Sequence, residues 1–300
     1  MHLQFSTACL PRLPLRSGFA AARALELDGL QLALTPTLYH RGPARVAALA
    51  AHYGVAVRSL DLGHWSWVGA TREAVAGVAA YARALPDCRV VALPAPRGYG
   101  QVPGGLNSYL DLLRAFADEL GEHAAVTIVN APGGGSSAVG PLDRFPQLRR
   151  VVGEWELGYP YDTSHAASAG WVITEPLPQM GARLRNVHFG DFRQRADPAL
   201  HGAAPFIPGT VQSWQLHRAP GAGVLPLRAF LRALRRRDYA GLVTIDLREV
   251  GLRAWWPPAL HRRVIEAVAF CREAVSTYRP PRADQPRPPV EVENDGRRAS

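Results

Sequence analysis

Tyr161-Asp162-Thr163-Ser164-His165 and Asn186-Val187-His188-Phe189-Gly190-Asp191 are two runs of strand formers, and each ends in carboxylate and imidazole. A strand that is apolar along its body and ionisable at its C-terminal tip suits a parallel barrel. There the body is buried from both faces and the tip opens into a shared mouth. Hard and borderline ligand atoms on neighbouring tips point to a divalent-metal site. Outward from these two runs, the chain reads as repeated units of strand and helix.

Upstream, strands are expected over residues 3–8, 30–34, 55–60, 89–93 and 125–129, with helical patterns over 19–27, 44–53, 72–85, 106–120 and 142–152. Gly54 and Gly121 stand where helix-ending glycines belong. Strand six runs into Asp162, a short proline-broken connection follows, and strand seven runs into His188. A long loop over 192–223, a helix over 227–236, a last strand over 242–245 ending in Asp246, and a closing helix over 260–278 complete the series. About eight alternating units predict a single (β/α)8 TIM barrel over residues 1–279. The proline-rich, mixed-charge stretch 280–300 reads as a disordered tail.

Composition narrows the function classes. The 300 residues are 47% hydrophobic and 20% charged, an ordinary globular balance. No apolar run is long enough for a bilayer, and a reducing cytoplasm is the expected location. Cys9, Cys88 and Cys271 are scattered and odd in number, which excludes a disulfide framework and a thiolate zinc knuckle. The net charge is +9, and every one of the 34 basic side chains is arginine. The arginines are dispersed, and Arg235-Arg236-Arg237 reads as a solvated helix surface, so nucleic acid is not the expected partner. Without lysine, Schiff-base chemistry is excluded.

The polar residues at the expected strand tips are His64, Asn130, Asp162, His165, His188, Asp191 and Asp246. The glycine-rich run His217-Arg218-Ala219-Pro220-Gly221-Ala222-Gly223 can fold over the mouth and present His217 inward. Each residue has a plainer reading too. Asp162 and His165 can serve as a turn-capping pair, and Arg248 can hold Asp246 in a structural ion pair. His64 can act as a wall beside Trp65 and Trp67. Gly133-Gly134-Gly135 lacks the ending of a phosphate loop and reads as an ordinary loop.

At this level of detail the chain resembles the xylose-isomerase-like barrels, a family of sugar (phosphate) isomerases, epimerases and endonuclease IV-type enzymes. The carriers are Asp162-Thr163-Ser164-His165, the His188-to-Asp191 run, His217 through Gly223, and Tyr239-Ala240-Gly241-Leu242-Val243-Thr244-Ile245-Asp246. The resemblance implies one divalent ion (Mn²⁺, Mg²⁺ or Zn²⁺) on Asp162, His188 and Asp246. On this reading Asp246, His165 and His217 are the expected catalytic residues, and His64, Trp65, Asn130 and Arg248 the expected substrate contacts. The substrate implied is a small polyhydroxylated or sugar-like molecule, interconverted by moving a proton between adjacent carbons. The sequence departs from the family at two tips. The fifth-strand glutamate of the epimerases is Asn130, which cannot act as a base, and the last-strand glutamate is Asp246, one methylene shorter. The fourth-strand tip, Leu93-Pro94-Ala95-Pro96, carries no ligand. These departures leave an endonuclease IV-type ligand set incomplete; such a hydrolase and a barrel that retains only binding are the alternatives.

Overall fold

The computed structural model describes residues 1–10, 13–63, 72–94, 105–132, 144–193, 215–247 and 257–276. Eight strands run parallel: β1 His2–Ser6, β2 Gly29–Ala33, β3 Val57–Asp61, β4 Val90–Leu93, β5 Ala125–Ile128, β6 Tyr159–Asp162, β7 Leu184–Phe189 and β8 Leu242–Ile245. They pair in the order β5-β4-β3-β2-β1-β8-β7-β6. The two end strands meet through a parallel bridge between Thr127 and Gly158. There Gly158 N–H donates to the Val126 carbonyl at 2.9 Å, and Ile128 N–H donates to that of Gly158 at 3.3 Å. A Cβ on Gly158 would come 2.8 Å from the Thr127 methyl, so the seam closes only with a glycine there. The barrel is thus nearly closed, as the alternation of elements predicted.

The period-two alternation of the strands sorts side chains into two sets. Phe5, Leu30, Leu32, Leu60, Val91, Leu93, Tyr161, Val187, Phe189, Val243 and Ile245 belong to the hydrophobic core. The helix Leu227–Arg235 closes over part of this layer by setting Phe230 against it, with ring centroids 5.9 Å from Tyr161 and 6.4 Å from Phe189. Phe230 is fully buried, and withdrawing such a ring from water contributes about 2–3 kcal/mol. The intervening residues face the barrel axis, and among them Gln4, Gln31, Ser59, Thr127, Asn186 and Thr244 are buried polar side chains. Gln4 Nε2 donates to Ser59 Oγ at 2.8 Å and to Thr244 Oγ1 at 2.7 Å, and Thr244 Oγ1 donates to Asn186 Oδ1 at 2.8 Å. A hydrogen-bonded polar floor therefore lies on the axis.

The helices follow the expected order: Leu15–Ala24, Ala44–Tyr53, Arg72–Arg83, Gly105–Leu120, Phe145–Glu154, Leu227–Arg235 and Pro257–Ser276. Gly54 and Gly121 end theirs with φ of 63° and 52°, in the left-handed region expected of them. A short additional helix, Pro36–His40, is capped by Thr35, whose hydroxyl accepts from Leu38 N–H at 3.2 Å. One expectation needs correction. The connection after β6 is not simply broken by proline: it folds into the helices Thr163–Ser168 and Leu177–Met180. Asp162 is the reason, because its side chain caps the first of them. All three cysteines are buried and free. No described helix is long and apolar enough to cross a membrane. The stretch 280–300, expected to be disordered, lies outside the described residues.

Candidate metal and catalytic centre

The C-terminal tips of β6, β7 and β8 carry Asp162, His188 and Asp246, each no more than 3% exposed. The ladder registers Asp162 with His188 and His188 with Thr244, which sets the three tips side by side. Two groups of ligand atoms result, Asp162–His188–Asp246 and Asp162–His165–His217, each with its atoms within 4.8 Å of one another. Asp162 belongs to both. Residues separated by some eighty positions in sequence therefore share one pocket.

Asp162 divides its carboxylate between two tasks. Oδ1 accepts from His165 N–H and from Ser164 Oγ–H, both at 2.8 Å, which caps the following helix. Oδ2 is buried without a hydrogen-bond partner. It lies 3.8 Å from His165 Nε2 and 3.7 Å from His217 Nδ1. Burial works to raise the pKa of this carboxyl. The neighbouring imidazoles of His165, His217 and His188 and the His165 N–H outweigh it and hold the group below the usual carboxylate range. The capping reading and the ligand reading of Asp162 are thus compatible, one on each oxygen.

His165 is oriented by the backbone. Its Nδ1 lies 2.9 Å from the Asn130 carbonyl oxygen, which can only accept. The Nδ1 proton is thereby assigned, and Nε2 is turned towards Asp162. His217 has Nδ1 3.5 Å from Asp246 Oδ2 and stands edge-on to His165, with ring centroids 5.1 Å apart. Its φ of 51° is unusual for a residue with a side chain. The strained backbone is held by Asp191. That carboxylate accepts N–H bonds from Phe192 at 2.8 Å, Gly221 and Gly223 at 2.9 Å and Leu225 at 3.0 Å. Asp191 and Arg218 also exchange backbone bonds of 2.8 and 2.9 Å. A Cβ on Gly223 would overlap the Phe192 carbonyl and the Asp191 carboxylate, so only glycine fits. Asp191, one of the ionisable strand-tip residues, is the anchor of the His217 loop.

Asn130 is placed at the seam between β5 and β6. Its Oδ1 accepts from Asp162 N–H at 2.7 Å and its Nδ2 donates to the Asp162 carbonyl at 3.0 Å. Both ends of the amide are engaged in the barrel wall. His64, Trp65 and Arg248, expected to contact substrate, lie outside the described residues, as does Gly133-Gly134-Gly135. Three contributors escaped the sequence reading. Thr163 Oγ1 donates to the Gly190 carbonyl at 2.6 Å and so ties the β6 and β7 tips together. Ser164 holds Asp162 Oδ1. Gln31, from β2, reaches His188, with its Nε2 2.9 Å from His188 Nε2. Thr163 and Ser164 lay inside a quoted motif, but nothing in the sequence signals that Gln31 faces β7.

The model of the family described as the xylose isomerase-like TIM barrel matches residues 19–274. No curated protein matches the chain. Among solved structures, the D-allulose 3-epimerase of Methylomonas sp., determined with D-allulose, superposes with a TM-score of 0.68 at 14% identity, covering 91% of this chain and 97% of that one. The 3-keto-D-glucoside 4-epimerase of E. coli gives 0.65 at 16% identity, covering 91% and 99%. The D-psicose 3-epimerase of Clostridium cellulolyticum H10, determined with D-tagatose, gives 0.65 at 14% identity, covering 92% and 99%.

Proposed function

The chain belongs to the xylose isomerase-like TIM barrel family, and on that premise we propose that its mouth isomerises or epimerises a small polyhydroxylated, sugar-like substrate with one divalent ion. Asp162, His188 and Asp246 would hold the ion. The observation that carries this reading is the buried Oδ2 of Asp162, which has no hydrogen-bond partner and faces a ring of imidazoles. A buried carboxylate oxygen needs a donor or a cation, and carboxylate–imidazole sets suit Mn²⁺, Mg²⁺ or Zn²⁺. When bound, the ion would polarise a substrate oxygen and stabilise the negative charge that develops as a neighbouring C–H is broken.

The protein groups supply the rest. Asp246 is the proton acceptor, because a carboxylate beside the reacting carbon can take a C–H proton and return it to the adjacent carbon on the same face; inversion at one carbon needs a second proton donor on the opposite face. His217, 3.5 Å from Asp246, and His165 orient the substrate hydroxyls. The sugar epimerases that share the fold support the substrate class. Metal analysis with a screen of ketose epimers and aldose–ketose pairs tests the proposal. Activity that needs Mn²⁺, Mg²⁺ or Zn²⁺ and vanishes with chelator is expected, and a protein that binds no divalent ion overturns it.

One observation favours a second reading, a metal-dependent hydrolase of the endonuclease IV type. Asp162 is common to both ligand groups, as a carboxylate bridging two ions would be. Two ions per chain, with cleavage of abasic-site DNA, would select this reading; one ion per chain selects the epimerase.

A further inference from the structure

Gln31 sits on β2, in register with Ser6 of β1 and Ser59 of β3. Its side chain nevertheless crosses the barrel interior to β7, where the amide nitrogen lies 2.9 Å from His188 Nε2. Gln31 is fully buried and His188 is 3% exposed. The amide oxygen Oε1 is buried without a hydrogen-bond partner. A half-turn of the amide exchanges nitrogen and oxygen at the same contact.

The two orientations have opposite consequences for the ring. If the amide N–H donates to Nε2, the imidazole proton sits on Nδ1, and that nitrogen has no lone pair to give. If Oε1 accepts from Nε2–H, Nδ1 carries the lone pair. Nδ1 is the nitrogen that Gln31 leaves open, and His188 shares a ligand group with Asp162 and Asp246.

We infer that Gln31 is the positioning residue of His188: its carbonyl oxygen takes the Nε2 proton, so that Nδ1 faces the carboxylates as a ligand. The inference rests on the proposed cation site and adds a condition to it. Binding selects one orientation of an amide on the far side of the barrel. Outer hydrogen bonds of this kind fix ring orientation and raise ligand basicity.

The test uses the full chain and Zn²⁺ alone, with calorimetry for affinity and isotope-edited histidine NMR for the ring proton. Wild-type protein with Zn²⁺ should carry the His188 proton on Nε2. Gln31→Met, similar in size and without an acceptor, should lose about 10- to 100-fold in affinity. Gln31→Glu, whose carboxylate can only accept, should bind near the wild-type level with the same ring proton. Equal binding by wild type and Gln31→Met overturns the inference. So does a Gln31→Glu loss as large as that of Gln31→Met, or a Nδ1 proton in the loaded wild type. The NMR result on wild type decides the matter even if Gln31→Met does not fold. Wild type and His188→Ala binding Zn²⁺ equally poorly is a separate outcome: the cation site itself fails, and Gln31 loses its role with it.

Discussion

Replacing Asp191 by asparagine tests whether a single carboxylate holds the loop that carries His217. The side chain is fully buried and receives four backbone N–H groups, two on each oxygen. Asparagine keeps one accepting oxygen and turns an NH₂ towards the other pair of donors. Two bonds to a charged acceptor are lost, at about 1.5–3 kcal/mol each, which gives roughly 3–6 kcal/mol of local destabilisation. The loop can recover part of this by opening to water, so the global loss should be nearer the lower bound, about 3 kcal/mol. Urea unfolding measures the global term, and hydrogen exchange of the amides of Gly221, Gly223 and Leu225 measures the local one. All three should lose more protection than the β1 and β8 amides, which fall only by the global term. A global loss below about 1 kcal/mol with unchanged exchange would show that loop backbone contacts, not the carboxylate, hold His217.

Other outcomes follow from the same geometry. Asn130→Ala removes both bonds to the Asp162 backbone and should destabilise the protein by about 2–4 kcal/mol, read as a lower urea midpoint. An unchanged midpoint would mean the seam closes without the side chain. Asp162 has its folded-state pKa depressed, so the stability from its ionised form is complete above the unfolded carboxyl value, near 4, and disappears as pH falls below it. Wild type should therefore be more stable than Asp162→Asn at neutral pH, with a gap that narrows on acidification in urea melts at successive pH values. A gap that widens towards acid contradicts the sign.

The fold was legible because strand tips and helix stops obey local rules. Gly54 and Gly121 marked the helix ends they occupy, and the runs into Asp162, His188 and Asp246 were read as adjacent strands of one barrel. The Thr163–Ser168 helix was not legible as a helix. Its starting signal, Asp162, reads as a turn cap or as a ligand, and the sequence does not show that one carboxylate can cap with Oδ1 and leave Oδ2 for the pocket. His217 was found through the glycines around it, yet its anchor Asp191 was grouped with the ionisable tips because spacing does not reveal which amides a carboxylate will meet. Gln31 was invisible for a different reason. A polar residue in a buried strand gives no sign of which strand it faces across the axis, and that partner lies 157 positions away.

Asn130 extends the sheet with a side chain where the main chain runs out. One amide offers an oxygen and a nitrogen to the Asp162 peptide, as a further strand residue would. An acid in its place would confront the Asp162 carbonyl with a second oxygen and no proton to share. The amide at this tip thus supplies a mechanical continuity between β5 and β6 that a carboxylate could not.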